Sequence, residues 1–207
     1  CATSAMAENS FDYAFQGSLK GLDPYTLRET FTLGILTNVY EGLIKRGPNL
    51  EILPGLATSW EVIEPTRWRF HLRKGVKFHN GNDFTAEDVV FSAERLNSEG
   101  SDMKGRVPVD ATFEIVDDHT VDVILASPNP ILHYEWELWS IIDKDWAEAN
   151  DSMRVTSASD TAETTISLKA NGTGPFKISE HTSGVSTKFE ANENWWNWDN
   201  REFNIDT

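Results

Sequence analysis

Two glutamates flank a tryptophan at Glu135-Trp136-Glu137, and Trp139 follows shortly after. Paired carboxylates beside flat aromatic rings are the groups a glycoside hydrolase needs, with the carboxylates about 5–10 Å apart. This stretch has helical spacing in places, and positions i and i+2 of a helix diverge by about 200°. The spacing therefore disfavours a catalytic pair. A carbohydrate-active enzyme with an acidic, tryptophan-rich cleft stays open as the alternative function.

Other catalytic and cofactor motifs are missing from the sequence. There is no glycine-rich loop ending in Lys-Ser/Thr, no GxGxxG, no GxSxG and no HExxH. The run Gly172-Thr173-Gly174 is followed by Pro175, which lacks an N–H to donate to a phosphate. His71 and His79 could meet across a sheet and bind a metal, but exposed strand and turn positions explain them better. A single cysteine, Cys1, excludes a CxxC site. We predict no catalytic residue, metal site or cofactor.

Composition favours a binding protein. Eight tryptophans in 207 residues provide flat surfaces that give large contact areas at low entropic cost. Trp60, Trp68 and Trp146 are assigned to the core. The net charge of −15 disfavours nucleic acid as a partner, because phosphate binding needs a basic surface. Clustered tryptophans in an acidic chain fit the capture of an amphipathic or cationic solute. No run approaches the roughly 18 apolar residues that would span a bilayer.

Two amphipathic helices are predicted in the first half of the chain. Apolar residues recur at three- and four-residue spacing from Phe31 to Ile44, which predicts a helix of about four turns ended by Gly47-Pro48. Thr85 to Asp88 resembles a capping box, with Asp in the acidic position. It predicts a helix whose buried residues are Val89, Val90, Ala93 and Leu96.

Alternating apolar residues predict the strands. A first strand spans 11–15, and a second begins near Arg67 with one apolar and one basic face. Two hairpins are predicted within 113–125 and 176–189. The Ser/Thr-rich residues 151–167 are predicted to form a surface loop.

The first residues resemble an export signal. Ala5-Met6-Ala7 reads as the small-x-small end of a secretory signal peptide cleaved before Glu8. The alternatives are a lipoprotein acylated at Cys1, or simply an arbitrary point at which the sequence begins. We therefore expect a periplasmic or otherwise extracytoplasmic location, with a lipid anchor at Cys1 as an option.

Seven motifs, taken together and in order, resemble the N-terminal part of the family 5 solute-binding proteins of ABC importers, the oligopeptide/dipeptide/nickel-binding group. They are Leu22-Asp23-Pro24, Val39-Tyr40-Glu41-Gly42-Leu43-Ile44, residues 53–61, residues 68–81, residues 84–92, Gly172-Thr173-Gly174-Pro175-Phe176 and Asn194-Trp195-Trp196. Each motif alone is weak, and their common order over nearly the whole chain carries the resemblance.

The resemblance implies an α/β fold: a periplasmic binding protein-like lobe with an inserted mixed α/β subdomain, as a fragment of a two-lobed clamp. Residues 1–7 are a residual signal peptide or linker. The first-lobe core comprises 8–46 and 172–207, and the inserted subdomain comprises 47–171. Family members are usually far longer, so the second lobe would lie after Thr207. A clamp of this kind closes by hinge motion on a ligand held between its lobes.

The resemblance also implies a function. We expect a monomer that captures a small extracytoplasmic solute, most simply a short peptide, and delivers it to a membrane ABC permease without chemical change. The ligand-binding residues are predicted in the loop Gln16-Gly17-Ser18-Leu19, whose backbone can bond an extended ligand. Trp136 and Trp139 are the second predicted group, with core packing as the competing role. Gly172 and Gly174 are predicted at the hinge. A third option is a structural fragment that binds nothing, and in either case we expect an exposed apolar surface.

Overall fold

A computed structural model describes residues 9–157, 159–160, 164–203 and 205. The predicted signal peptide, the possible lipid anchor at Cys1 and the boundary at residues 1–7 lie outside these residues. In chain order the elements are α1 (Thr30–Leu36), β1 (Ile44–Arg46), β2 (Ile52–Pro54), β3 (Ala57–Glu64), β4 (Arg67–Leu72), α2 (Ala86–Leu96), β5 (Thr112–Asp117), β6 (Thr120–Ile124), α3 (Leu132–Glu135), α4 (Lys144–Ala149), α5 (Thr165–Leu168), β7 (Phe176–Thr182) and β8 (Ser186–Ala191), followed by a 3-10 turn at Trp198–Asn200.

The largest sheet in the described part of the chain has four antiparallel strands in the order β3-β4-β6-β5. Its inner face is apolar because the strand pairing places apolar side chains of neighbouring strands side by side. Phe70 pairs with Trp60 on one side and with Val121 on the other. In β4 the alternation is complete: Trp68, Phe70 and Leu72 are buried, while the basic side chains between them face outward. This strand and the hairpin β5–β6 confirm the sequence predictions.

The outer face of this sheet carries a compact charge network. The Asp122 side chain has no exposed area and accepts hydrogen bonds from Arg67 Nε at 2.8 Å and from Arg69 Nε at 2.6 Å. Hydrogen bonds from both arginines hold the pKa of Asp122 below its ordinary value, the contribution of Arg69 being the larger. Arg67 also contacts Glu114 at 2.6 Å on β5, the strand beyond β6. The cross-strand pairs fix the register of three strands.

Helix α2 begins where the capping box predicted it. The Thr85 backbone N–H donates to Asp88 Oδ2 at 2.8 Å, which satisfies a donor that the helix leaves unpaired. Val89, Ala93 and Leu96 face the core, and Val90 is partly buried. Asp88 Oδ1 accepts from the Lys144 N–H at 2.9 Å, so the cap also holds the start of α4.

The helix predicted from 31 to 44 is much shorter than expected, since α1 ends at Leu36. Residues 38–43, here called the central segment, run without helix or strand assignment and hydrogen bond to distant parts of the chain. Their carbonyls accept the N–H groups of Phe176, Gly174, Ile141, Leu56 and Gly55. The apolar residues that suggested a longer helix are buried by these contacts instead: Val39, Tyr40, Leu43 and Ile44.

The strand predicted at 11–15 is also absent. Phe11, Tyr13 and Phe15 are 65, 64 and 53% exposed, and within residues 9–19 no residue is assigned to a strand. Alternation alone does not make a strand, because the backbone needs a neighbouring strand to complete its hydrogen bonds. The expected exposed apolar surface is present here, and it adjoins the second hairpin, β7–β8, which the sequence did predict.

The Ser/Thr-rich stretch 151–167 is less open than a surface loop. It contains the short helix α5, and Val155, Thr156 and Ile166 are buried. None of the helices in the described residues is long and apolar enough to cross a membrane. A four-stranded sheet does lie within residues 47–171, as the expected subdomain requires; its boundaries remain predictions.

Candidate functional site

A cleft of about 890 Å³ opens between two walls. One wall is the segment 10–19 together with α1 and Asn38, and the other is the hairpin β7–β8. Asn38 and Phe176 both line the cleft, and they lie where the walls join, because the Phe176 N–H donates to the Asn38 carbonyl at 3.1 Å. The cleft is therefore a groove with a hydrogen-bonded floor.

Stacked aromatic rings cover one wall of this cleft. Phe15 lies on Phe31 with ring centroids 4.4 Å apart and planes 8° from parallel. Tyr13 also stacks on Phe15, with ring centroids 6.3 Å apart and planes 19° from parallel. Because Tyr13 and Phe15 are more than half exposed, the stack leaves flat apolar area available to a ligand.

The loop predicted to bind ligand lies at the same place. Gly17, Ser18 and Leu19 line the cleft, whereas Gln16 is exposed and does not. The Gly17 N–H already donates to the Phe15 carbonyl at 2.9 Å, which closes a tight turn. The structure thus brings three of the four loop residues to the cleft, and their contact with a ligand stays a prediction.

The opposite wall supplies polar groups. His181 Nδ1 lies 2.9 Å from Thr187 Oγ1, and burial lowers the pKa of His181, so its imidazole is neutral at pH 7. Lys188 Nζ lies 3.7 Å from Glu190 Oε1, and the Lys188 side chain is half exposed. A ligand in the cleft would meet flat apolar rings on one side and hydrogen-bonding groups with one ammonium on the other.

Trp136 and Trp139 are packing residues in this structure. Both have no exposed area, and their rings meet edge to face with centroids 4.7 Å apart. Trp136 also stacks on Phe70 of the sheet at 5.1 Å. Neither indole presents a face to the cleft, because the inner side of the sheet takes up both. Of the three tryptophans assigned to the core, Trp68 is buried within it. Trp60 and Trp146 are partly buried and pack against the core.

The predicted hinge glycines pack tightly against the central segment. A Cβ added to Gly172 would lie 2.0 Å from the Val39 carbonyl oxygen, and one added to Gly174 would lie 2.6 Å from that of Asn38. The Gly174 N–H donates to the Val39 carbonyl at 2.9 Å. These glycines are needed for close backbone approach, and a hinge role for them remains a prediction.

The His79 side chain hydrogen bonds to the backbone of the same two glycines. Its Nδ1 accepts the Gly172 N–H at 3.3 Å, which leaves Nε2 to donate to the Gly174 carbonyl at 3.0 Å. This pattern requires the neutral imidazole, and burial lowers the pKa of His79 to about 4. His71 lies elsewhere, with Nε2 3.3 Å from Glu61 Oε1. Among the described residues no group of three or more His, Cys, Asp and Glu side chains could hold a metal ion.

The glutamates considered for catalysis have separate structural partners. Glu135 Oε2 accepts from Asn129 Nδ2 at 2.9 Å, and Glu137 pairs with Arg46 near β1. The two carboxylates therefore hold different loops and share no cleft, so the geometry gives the carbohydrate-active alternative no support.

Sequence reasoning missed three buried polar centres. Asp23 forms a bidentate ion pair with Arg95. The Asp143 carboxylate accepts from three asparagine side chains: Asn80, Asn82 and Asn171. Glu41 accepts from Thr173 and two indoles. The motifs contained most of these residues, but no local pattern showed which ones would meet.

Comparison with known proteins agrees with this architecture. The model of the family described as "Bacterial extracellular solute-binding proteins, family 5 Middle" matches residues 51–207. The chain belongs to this family. It is 30% identical to the di/tripeptide-binding protein 1 of Pseudomonas aeruginosa over 89% of this chain and 37% of that protein. It is also 30% identical to the dipeptide-binding protein of Escherichia coli, over 89% of this chain and 38% of that protein.

A solved family 5 structure has the same fold. The periplasmic binding protein DppA from Helicobacter pylori, in complex with the peptide STSA, superposes with a TM-score of 0.71 at 28% identity. The match covers 85% of this chain and 38% of that one. The family resemblance and the periplasmic binding protein fold expected from the motifs are thus confirmed. The chain spans a little over a third of the length of the relatives it matches.

Proposed function

We propose that this chain is part of the solute-binding component of an ABC importer and that its cleft forms part of a site for a short peptide. The carrying observation is the cleft of about 890 Å³ beside Gly17, Ser18 and Leu19, with an aromatic stack facing hydrogen-bonding groups. Ligand sites of this size are typically apolar with a few well-placed polar groups. The relatives named as dipeptide- and di/tripeptide-binding proteins support a peptide over other solutes.

Family membership and the acidic composition support the remaining parts of the proposal. The protein works outside the cytoplasm as a monomer, either released after signal cleavage or anchored through Cys1. It delivers its solute to a membrane permease, leaves that solute chemically unchanged and does not bind nucleic acid. The acidic net charge suits cationic or zwitterionic solutes.

Thermal unfolding in the presence of dipeptides and tripeptides tests the proposal. A ligand that binds only the folded chain raises its stability by about 2.7 kcal/mol at a concentration one hundred times Kd. We expect a concentration-dependent rise in Tm with at least some peptides and none with a matched mixture of free amino acids or with oligosaccharides. Intact peptide recovered by mass spectrometry would support capture without turnover. If no peptide shifts Tm at millimolar concentration, or if the peptide is cleaved, the proposal fails.

A further inference from the structure

The floor of the cleft is the junction between the central segment and the start of β7. The Gly174 N–H donates to the Val39 carbonyl at 2.9 Å, and the Phe176 N–H donates to the Asn38 carbonyl at 3.1 Å. Asn38 and Phe176 line the cleft directly. The relative position of the two walls therefore depends on these two hydrogen bonds and on whatever holds the neighbouring backbone in place.

Glu41 holds that backbone through its side chain. Its carboxylate accepts from Thr173 Oγ1 at 2.9 Å, from Trp196 Nε1 at 3.0 Å and from Trp195 Nε1 at 3.3 Å. Thr173 has no exposed area and lies between the two glycines of the junction. An indole N–H can only donate, so the two tryptophans need an acceptor at this position. One carboxylate thus ties the junction to the segment at 195–196.

Arg73 adds a cationic contact to the cluster of Glu41, Trp195 and Trp196. The Arg73 guanidinium lies 3.8 Å from the centre of the Trp196 ring, and its Nε donates to the Gly55 carbonyl at 3.1 Å. Trp196 therefore has a positive charge over its face and a carboxylate at its N–H edge. Both contacts favour the same ring orientation. Because the Gly55 N–H donates to the Leu43 carbonyl, Arg73 is itself tied to the central segment.

We propose that Glu41 is a positioning residue for the cleft: its carboxylate fixes the junction between the two walls and thereby sets the affinity for a peptide. Glu41 does not line the cleft and acts through Thr173 and the backbone bonds at Gly174 and Phe176. The effect on affinity rests on the proposed function, whereas the effect on the junction does not.

Two substitutions separate the hydrogen bonds from the charge. Glu41→Gln keeps an oxygen for the indoles and offers its NH2 to Thr173 Oγ1, which can turn to accept. Glu41→Leu removes every acceptor and leaves the donors unpaired. Thr173→Val removes only the link to the junction. Glu94→Leu, at an exposed position on α2, is the matched control for the loss of a glutamate.

Amide hydrogen exchange measures the junction directly. Glu41→Leu leaves buried donors unpaired, and Thr173→Val removes the link from the carboxylate to the junction. We therefore expect exchange at Gly174 and Phe176 to speed up by about tenfold in both variants. Glu41→Gln and the Glu94→Leu control should match the parent chain. Unchanged exchange in both Glu41→Leu and Thr173→Val would overturn the proposal, as would acceleration spread uniformly over the whole chain.

The indole Nε1–H resonances give a signature that general destabilisation would not produce. Burial raises the pKa of Glu41, while its hydrogen bonds and the nearby Lys45 act in the opposite direction; Arg73 is the other charge facing the cluster. Two indole resonances should therefore titrate together, with a midpoint above the ordinary glutamate value. This titration should be lost in Glu41→Gln. If no indole resonance follows a glutamate titration in the parent chain, Glu41 is not the acceptor and the proposal is wrong.

Peptide affinity is measured last, with a peptide that raises the Tm of the parent chain. At a temperature well below every variant's Tm, we expect Kd to rise about tenfold in Glu41→Leu and to be restored in Glu41→Gln. If the parent chain binds no peptide, the proposed function fails, while the exchange result still decides the role at the junction. Faster exchange at Gly174 with an unchanged Kd would reject Glu41 as a determinant of affinity.

Discussion

The buried ion pair between Asp23 and Arg95 offers a sharp test of how the chain is held together. Both side chains have no exposed area, and two parallel bonds of 2.6 and 3.0 Å join them. Arg95 also donates from Nε to the Ser152 carbonyl and from Nη2 to the Arg154 carbonyl, both at 3.0 Å. One side chain thus connects the turn after the N-terminal segment, helix α2 and the loop after α4.

Removing the Arg95 cation alone should strongly lower the stability of the folded chain. Arg95→Met keeps most of the apolar volume but leaves the Asp23 carboxylate buried without its counter-charge, with the Tyr25 N–H as a remaining donor. Breaking one half of a buried pair costs about 3–5 kcal/mol. For a chain of this size, 1 kcal/mol corresponds to about 2–4 °C in Tm. We therefore expect Tm to fall by about 6–20 °C.

The double variant distinguishes a charge effect from simple loss of packing. Replacing a buried pair by apolar groups of similar volume is often close to neutral. Asp23→Leu combined with Arg95→Met should therefore be more stable than Arg95→Met alone. Urea unfolding followed by circular dichroism measures all three chains. Arg154→Met is the control, because that side chain is 60% exposed and lies 3.7 Å from its partner, Asp160, so its loss should cost under about 0.5 kcal/mol. A loss below about 1 kcal/mol in Arg95→Met, or a double variant no more stable than Arg95→Met, would refute the reasoning.

Three further predictions follow from contacts described above. Gly172→Ala should lower stability by more than about 2 kcal/mol, because its Cβ would meet the Val39 carbonyl at 2.0 Å. Gly34→Ala in α1 should raise stability by about 0.5–1 kcal/mol, because a Cβ there meets nothing within 4 Å. Urea unfolding that ranks the two variants the other way would contradict this prediction. Burial raises the pKa of Asp88 to about 6, so the folded chain holds that proton more tightly than the unfolded chain, and the contribution of Asp88 to stability falls as pH rises from about 4 to 6. Asp88→Asn should flatten the stability curve in this window, and an unchanged slope would show that another group titrates there. Phe15→Ala should cost under about 1 kcal/mol, because the ring is 53% exposed, yet weaken the binding of any peptide that stabilises the parent chain, as measured by calorimetry; an unaltered Kd would remove the aromatic stack from the site.

Local patterns predicted the elements whose stability is largely local. Strand β4 is recognisable because its alternation matches its burial residue by residue. Helix α2 is recognisable because the reciprocal bond from Thr85 to Asp88 lies within one turn. The hairpins β5–β6 and β7–β8 pair strands that are adjacent in sequence, so their register depends on a short turn.

Elements that depend on distant partners were misjudged. The residues after Leu36 have helical spacing, but contacts with residues 55–57, 141 and 174–176 bury the same side chains in a backbone assigned to neither helix nor strand. Phe11 to Phe15 alternate like a strand and lack a strand neighbour within the described residues. The same limit applies to the site. The loop at Gly17 was found because small turn residues are visible in sequence, whereas the approach of Glu41 to Trp196 spans more than 150 residues.

The position of the central segment affects how the chain folds while it is being synthesised. The Asn38 and Val39 carbonyls lack their donors until these emerge from the ribosome much later, since roughly 140 residues separate Asn38 from Phe176. At about 5–20 residues per second, translation of that interval takes about 7–28 s. During this time Val39, Tyr40 and Leu43 have no completed core to enter, and we expect the nascent chain to expose them. That delay suits the export proposed above, because a chain that cannot finish folding early stays unfolded for transport across a membrane.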